Sequence, residues 1–145
     1  MYPVDIKKYP VTCAYGVRGP RWAGGVHKGV DQACPVGTTV RSPVNGIVVG
    51  VGVVWGKAFG RNQVAIEFVA KDKLGVKRIY TVNVAHMESS SVKVGQKIKA
   101  GKVIGKSGRD GNVTGPHVHT EVQKQRRWLK DGYVNPSVAV DFKAV

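Results

Sequence analysis

At 145 residues, with 42% hydrophobic and 22% charged positions, the chain has the size of one domain with a real core, taken here as 1–145. No apolar run approaches the ~20 residues of a membrane-spanning helix, so membrane insertion is not expected. The 23 Lys plus Arg against 9 Asp plus Glu give +14, which implies attraction to polyanions such as nucleic acid, anionic lipid or wall teichoic acids. The basic residues are dispersed, densest at Lys71, Lys73, Lys77 and Arg78, which suits a wide polymer surface better than a single groove; solubility is the plainer account. The 19 glycines and short valine clusters suggest many short strands joined by tight turns, hence an all-β protein.

Along the chain, Val11–Tyr15 reads as a short strand and residues 16–20 as a turn. Residues 26–31 favour a strand, because Gly29 lies between the β-branched Val26 and Val30. That spacing turns His27 and Asp31 to one side, where imidazole and carboxylate suit zinc, or form an ordinary surface ion pair. Asn45-Gly46 is a hairpin signal, and Gly50 and Gly52 suggest a bulge or a close backbone approach in the strand from Ile47 to Val54. Two strands, Asn62–Val69 and Arg78–Val84, flank the charged turn Lys71–Gly75, and the second delivers His86 at its end. Ser89–Ser91 is polar punctuation, and Val92–Lys102 reads as two short extended pieces. The strand from His117 to Gln123 follows a turn-rich loop, and the tail suggests a hairpin around Asp131-Gly132. No long helix is expected.

The strand Gly115-Pro116-His117-Val118-His119-Thr120-Glu121-Val122 organises the rest. Alternation sends His117 and His119 to one face, about 7 Å apart, and Val118 and Thr120 to the other. Two imidazoles so placed can serve one metal and its reacting water, or be an ordinary surface strand. The chain has 4 histidines, and the other two, His27 and His86, fall where a metal site needs them. Cys13 and Cys34 are too far apart in sequence for a Cys-x-x-Cys site; a disulfide and two small buried hydrophobes are both open. The N-terminus has no apolar signal core, which points to a precursor fragment or another route out of the cell.

Five motifs occur in order: His27-x-Gly29-x-Asp31, Pro43-x-x-Gly46, Ala85-His86-Met87, the Val94–Gly108 segment, and Gly115-Pro116-His117-x-His119-x-Glu121-Val122. The set resembles the lysostaphin/LytM-type zinc metallopeptidases over residues 11–136. The resemblance implies a compact antiparallel β-sheet or sandwich of LytM-like type, with one zinc in a groove. It implies that His27, Asp31 and His119 hold the zinc, while His86 and His117 stand beside the open position as the catalytic pair, their roles not divided. Three protein ligands plus a water is the pattern of a catalytic zinc. The family hydrolyses peptide bonds of peptidoglycan, in the cross-bridge or stem peptide, so the expected partners are wall peptide and anionic wall polymers, for a monomer acting on the cell wall. A phage endolysin domain released through a membrane hole is the first context, and the mature part of a secreted autolysin the second.

The family often has aromatics where Val84 and Thr120 stand here, a departure expected to reshape the groove wall. Its occasional upstream tyrosine has no unambiguous match; Tyr15, Arg18 and Arg21 are the candidates to stabilise an oxyanion. Two rival readings are an inactive LytM-like wall-binding or regulatory domain, and a nucleic-acid binder using Trp22, Trp55, Trp128 and the lysines. Inactive domains of this type typically lack ligands, whereas this chain carries the full set, and nucleic-acid binding leaves the histidines unexplained.

Overall fold

In Gln63–Lys71, Lys77–Ala85 and His117–Gln123, hydrophobic residues recur at alternate positions, and this period of two decides which face of the sheet is buried against the core. In the computed structural model, which describes residues 1–140, the strands are β1 (Val11–Cys13), β2 (Gly29–Ala33), β3 (Thr39–Arg41), β4 (Gly46–Gly52), β5 (Gln63–Lys71), β6 (Lys77–Ala85), β7 (Met87–Ser90), β8 (Lys97–Ile98), β9 (Val103–Ser107), β10 (His117–Gln123) and β11 (Tyr133–Val134). Among the described residues, one sheet runs β1-β2-β10-β6-β5-β4-β8, with β11 continuing beside β10, and a second runs β3-β9-β7. Every pairing between these strands is antiparallel. The all-β architecture expected from the sequence is the one observed. Among the described residues, helix is limited to the single turn α1 (Pro136–Ala139) and two short 3₁₀ turns.

Val64, Ile66 and Phe68 of β5, Tyr80, Val82 and Val84 of β6, and Val118 and Val122 of β10 enter one hydrophobic core. The small sheet adds Val40, Ile104 and Met87 to it. Each such burial contributes about 1.5–3 kcal/mol, so the alternation is the main source of order. Val84 and Thr120 are register partners on this core side, both buried. They lie on the opposite face of β6 and β10 from His119, so the small residues there do not reshape the groove wall as expected.

The chain crosses from the large sheet to the small one through a single residue, His86, which separates β6 from β7. Its φ of 62° is left-handed, and among the described residues it is the one non-glycine there. Such a conformation costs a residue that carries a Cβ about 1–2 kcal/mol, and its persistence at this junction marks a position set by the surroundings.

Several local expectations differ from the fold. Asn45-Gly46 does not close a hairpin: β3 pairs with β9 while β4 pairs with β5 and β8, so the segment carries the chain between sheets. Asn45 instead accepts the Ala100 N–H at 2.8 Å, and a Cβ on Gly46 would collide with the Glu67 carbonyl. Ser89 and Ser90 belong to β7, held by pairing with β9. The last hairpin is β10 with β11, its loop running from 124 to 132, rather than a turn at Asp131-Gly132. Within Val92–Lys102, only Lys97–Ile98 becomes a strand. Cys13 and Cys34 are both free thiols, Cys34 buried in the core and Cys13 partly exposed, so no disulfide joins them. The bulge anticipated near Gly50 is present, as a register shift between Val48 and Gly50.

Candidate metal centre

Strand register brings the dispersed motifs together. In β10–β2 pairing His119 faces Asp31, and in β10–β6 pairing it faces Ala85, next to His86. His27 enters from just ahead of β2. Gly29 pairs with Glu121, and a Cβ there would sit 2.5 Å from His119 Cε1 and 2.6 Å from the Thr120 carbonyl. Only a residue without a side chain lets the His119 ring lie across the strand at this point.

His27 Nε2 lies 3.2 Å from Asp31 Oδ2 and 3.3 Å from His119 Nδ1, while His119 Nδ1 lies 2.7 Å from Asp31 Oδ1. Donors bound tetrahedrally at ~2.0–2.1 Å are separated by about 3.3 Å, so His27 Nε2, His119 Nδ1 and the Asp31 carboxylate suit one zinc-sized ion with little rearrangement. Cys13, the register partner of Asp31, joins from β1: a donor atom from each of Cys13, His27 and Asp31 fits within 4.8 Å of the others. Both histidines and the carboxylate thus lie together; the thiol is an addition that no motif spacing announced.

His86 and His117 stand beside this trio, their ring centroids 4.8 Å apart and that of His86 6.0 Å from that of His119. A backbone carbonyl can only accept, so the Nδ1 of His86 donates to Asp110 at 2.7 Å and the Nδ1 of His117 to Gly115 at 2.9 Å. Both Nε2 atoms therefore remain available, and that of His117 is 3.7 Å from Asp31 Oδ1. Phe59 stacks on His86 at 24°, and its carbonyl accepts the His86 N–H at 2.9 Å. The loop at 108–112 completes the brace, because Gly60 and Gly111 allow close backbone approach there.

The charges follow from this packing. Burial lowers the His86 pKa to about 4, with the neighbouring His119 adding to the effect, so its ring is neutral at ordinary pH. Burial would also raise Asp31, but hydrogen bonds from His119 and His27 outweigh it and hold the carboxyl well below the usual range. For His119, burial pulls downward, yet hydrogen bonds to Asp31 and Glu121 raise its pKa to about 10 without a metal.

These residues line a groove of about 730 Å³ whose walls include Arg21, Trp22, Phe59 and Trp128. A hollow of about 820 Å³ between the N-terminal segment and residues 35–41 contains none of the histidines. Of the oxyanion candidates, Arg21 reaches the groove, Tyr15 packs on Tyr133 at 6.1 Å, and Arg18 is tied into a bridge with Val26. Trp55 is buried, its indole N–H donating to the Arg126 carbonyl, so it offers no stacking platform. Glu121 belongs to the same motif without a role implied by the resemblance; the period of two that aligns His117 with His119 puts it on their face.

Residues 25–136 match Peptidase family M23. Lysostaphin of Staphylococcus simulans is 38% identical over 96 residues, 66% of this chain and 18% of the relative. The structure of its catalytic domain superposes with a TM-score of 0.73 at 30% identity, covering 91% of this chain and 92% of that one. Peptidoglycan DD-endopeptidase ShyB of Vibrio cholerae is 31% identical over 129 residues, 87% of this chain and 28% of the relative. A zinc-containing peptidase from Vibrio cholerae gives a TM-score of 0.70 at 31% identity, over 92% of this chain and 37% of that one. The chain thus spans less than a third of the full-length relatives and nearly all of an isolated catalytic domain.

Proposed function

The chain belongs to peptidase family M23, and from that premise we propose that it is a zinc endopeptidase cutting peptide bonds of bacterial peptidoglycan. The observation that carries the reading is the trio His27 Nε2, Asp31 and His119 Nδ1, within 2.7–3.3 Å of one another, with the free Nε2 atoms of His86 and His117 alongside. We assign the trio as ligands and the pair as catalytic residues, within a single domain that works on the wall as a monomer. Zinc held there would supply a Lewis acid that brings the pKa of a water toward ~7 and polarises the scissile carbonyl.

The remaining chemistry belongs to the chain. His86 and His117 have their Nδ1 hydrogens anchored on backbone carbonyls, which leaves Nε2 of each ring as the atom oriented to take a proton from the attacking water and return it to the leaving amine. Trp22, Phe59 and Trp128 restrict water around the site and offer apolar contact to an extended peptide. The +14 charge favours retention on an anionic wall polymer, with no base-reading role for nucleic acid. The names of lysostaphin-type and DD-endopeptidase relatives support wall peptide as the substrate class.

The test is zinc content together with turbidity loss of purified cell walls, with and without a chelator, and mass spectrometry of the released peptides. One zinc per chain and chelator-sensitive appearance of a new amino terminus are expected. Zinc-free protein that binds walls without cutting them would overturn the proposal in favour of a wall-binding adaptor.

A further inference from the structure

We infer that Glu121 is a positioning residue: its carboxyl group fixes the His119 ring in the tautomer and orientation that turn Nδ1 toward His27 and Asp31. The inference rests on the reading of His119 as a zinc ligand. His119 Nε2 lies 3.1 Å from Glu121 Oε1, on the far side of the ring from the Nδ1 that meets Asp31 at 2.7 Å. Paired this way, Nε2 donates to the Glu121 oxygen, and Nδ1 is the nitrogen whose hydrogen, shared with Asp31, an ion would replace.

Glu121 is itself held rigidly. Its second oxygen accepts the Gln123 amide at 3.1 Å, and that same amide nitrogen donates to the Leu129 carbonyl at 3.1 Å. Glu121 is 2% exposed and Gln123 fully buried, so the relay from His119 to the 124–132 loop is shielded from water. A carboxyl group this deep is costly to folding unless its hydrogen bonds are made, and no arginine or lysine forms an ion pair with it among the described residues. The ring has little freedom to turn away, because the Gly29 backbone packs directly beneath it. His27 is held in the complementary way: its Nδ1 meets the Ala14 carbonyl at 3.0 Å and Nε2 is left for the ion. The two imidazoles thus use opposite nitrogens, and each is set by its own acceptor. Outer acceptors of this kind typically change metal affinity by about 10–100-fold.

The experiment compares zinc dissociation constants, by competition with a chromophoric chelator, for the wild-type chain, Glu121→Leu and Glu121→Gln. Melting temperatures and nitrogen-15 spectra of the His119 ring are recorded alongside. Glu121→Leu should bind zinc about 10–100-fold more weakly and lose the protected Nε2–H signal of the zinc-loaded wild type. Glu121→Gln, which keeps an oxygen acceptor, should recover most of the affinity. If the leucine variant does not fold, Glu121→Ala, which leaves room for water beside Gln123, takes its place with the same expectation. Wild-type affinity in the leucine or alanine variant, or a glutamine variant as weak as they are, would overturn the inference. The underlying metal-centre reading fails separately, if the wild-type chain takes up no zinc or His119→Ala binds it equally well.

Discussion

Strands β5, β6 and β10 present two faces that are similarly shielded from water and opposite in chemistry. On one, Val64, Ile66, Val82, Val84, Val118 and Val122 pack with the small sheet into a dry core. On the other, Gln63, Asn83, His119, Glu121 and Gln123 are buried too, but linked by hydrogen bonds: Asn83 to Gln63, His119 to Glu121, Glu121 to Gln123. Burial alone therefore does not distinguish structure from function in this fold. The apolar face loses stability when atoms are removed, because a cavity opens; the polar face loses chemistry when a partner is removed, because a donor or acceptor is left unmatched.

The sharpest break between the two faces comes from His119→Ala. It should abolish zinc binding and wall hydrolysis together, measured by metal analysis and turbidity. His117→Ala, on the same face two residues away, should keep nearly one zinc per chain and lose about 10²–10⁴-fold in turnover, as befits a proton-transfer group. Equal zinc binding by both variants would show that the ligand assignment is wrong.

Ile66→Ala tests the opposite face. It should destabilise by about 2–5 kcal/mol in chemical denaturation while the folded fraction keeps its full zinc content. Gly29→Ala sits between the two outcomes, since the added methyl presses on His119 and on the Thr120 carbonyl. Weaker zinc binding should accompany the lower melting temperature there, whereas a purely structural glycine would change only the latter.

The smallest effect is graded in pH. Without metal, the His119 pKa is raised to about 10, so over pH 6–8 the ring holds a proton that zinc has to displace. Zinc affinity should rise by about tenfold per pH unit across that range, read by chelator competition, with one proton released per ion from this ring. His86 behaves oppositely: with its pKa lowered to about 4, it stays neutral across the same window. Its capacity to accept a proton should be lost only as the pH falls through about 4, which a pH profile at saturating zinc would register.

Much of this was legible in the chain. Alternation in His117–Gln123 correctly separated the histidines from the valines, and glycine and valine content indicated an all-β fold. Those signals are local: a strand has a period of two whatever it pairs with, and a turn-rich chain cannot build long helices. The family resemblance supplied the grouping of His27, Asp31, His86, His117 and His119, which alternation by itself did not.

Pairing was what local reading missed. Asn45-Gly46 has the composition of a hairpin, yet the two strands beside it join different sheets, and the choice depends on partners far along the chain. Val84 and Thr120, groove residues by resemblance, are placed in the core by their parity, which becomes visible once β6 and β10 are aligned. The left-handed His86 at the crossing between sheets, the thiol of Cys13 opposite Asp31, and the hold of Glu121 on His119 likewise arise from register between distant strands. The sequence by itself determined the period, the turns and the inventory of reactive groups, because these depend on neighbouring residues. Which nitrogen of each imidazole faces the centre, and which residues meet there, was decided by tertiary structure, because hydrogen-bond partners and close approach exist only after the strands have paired.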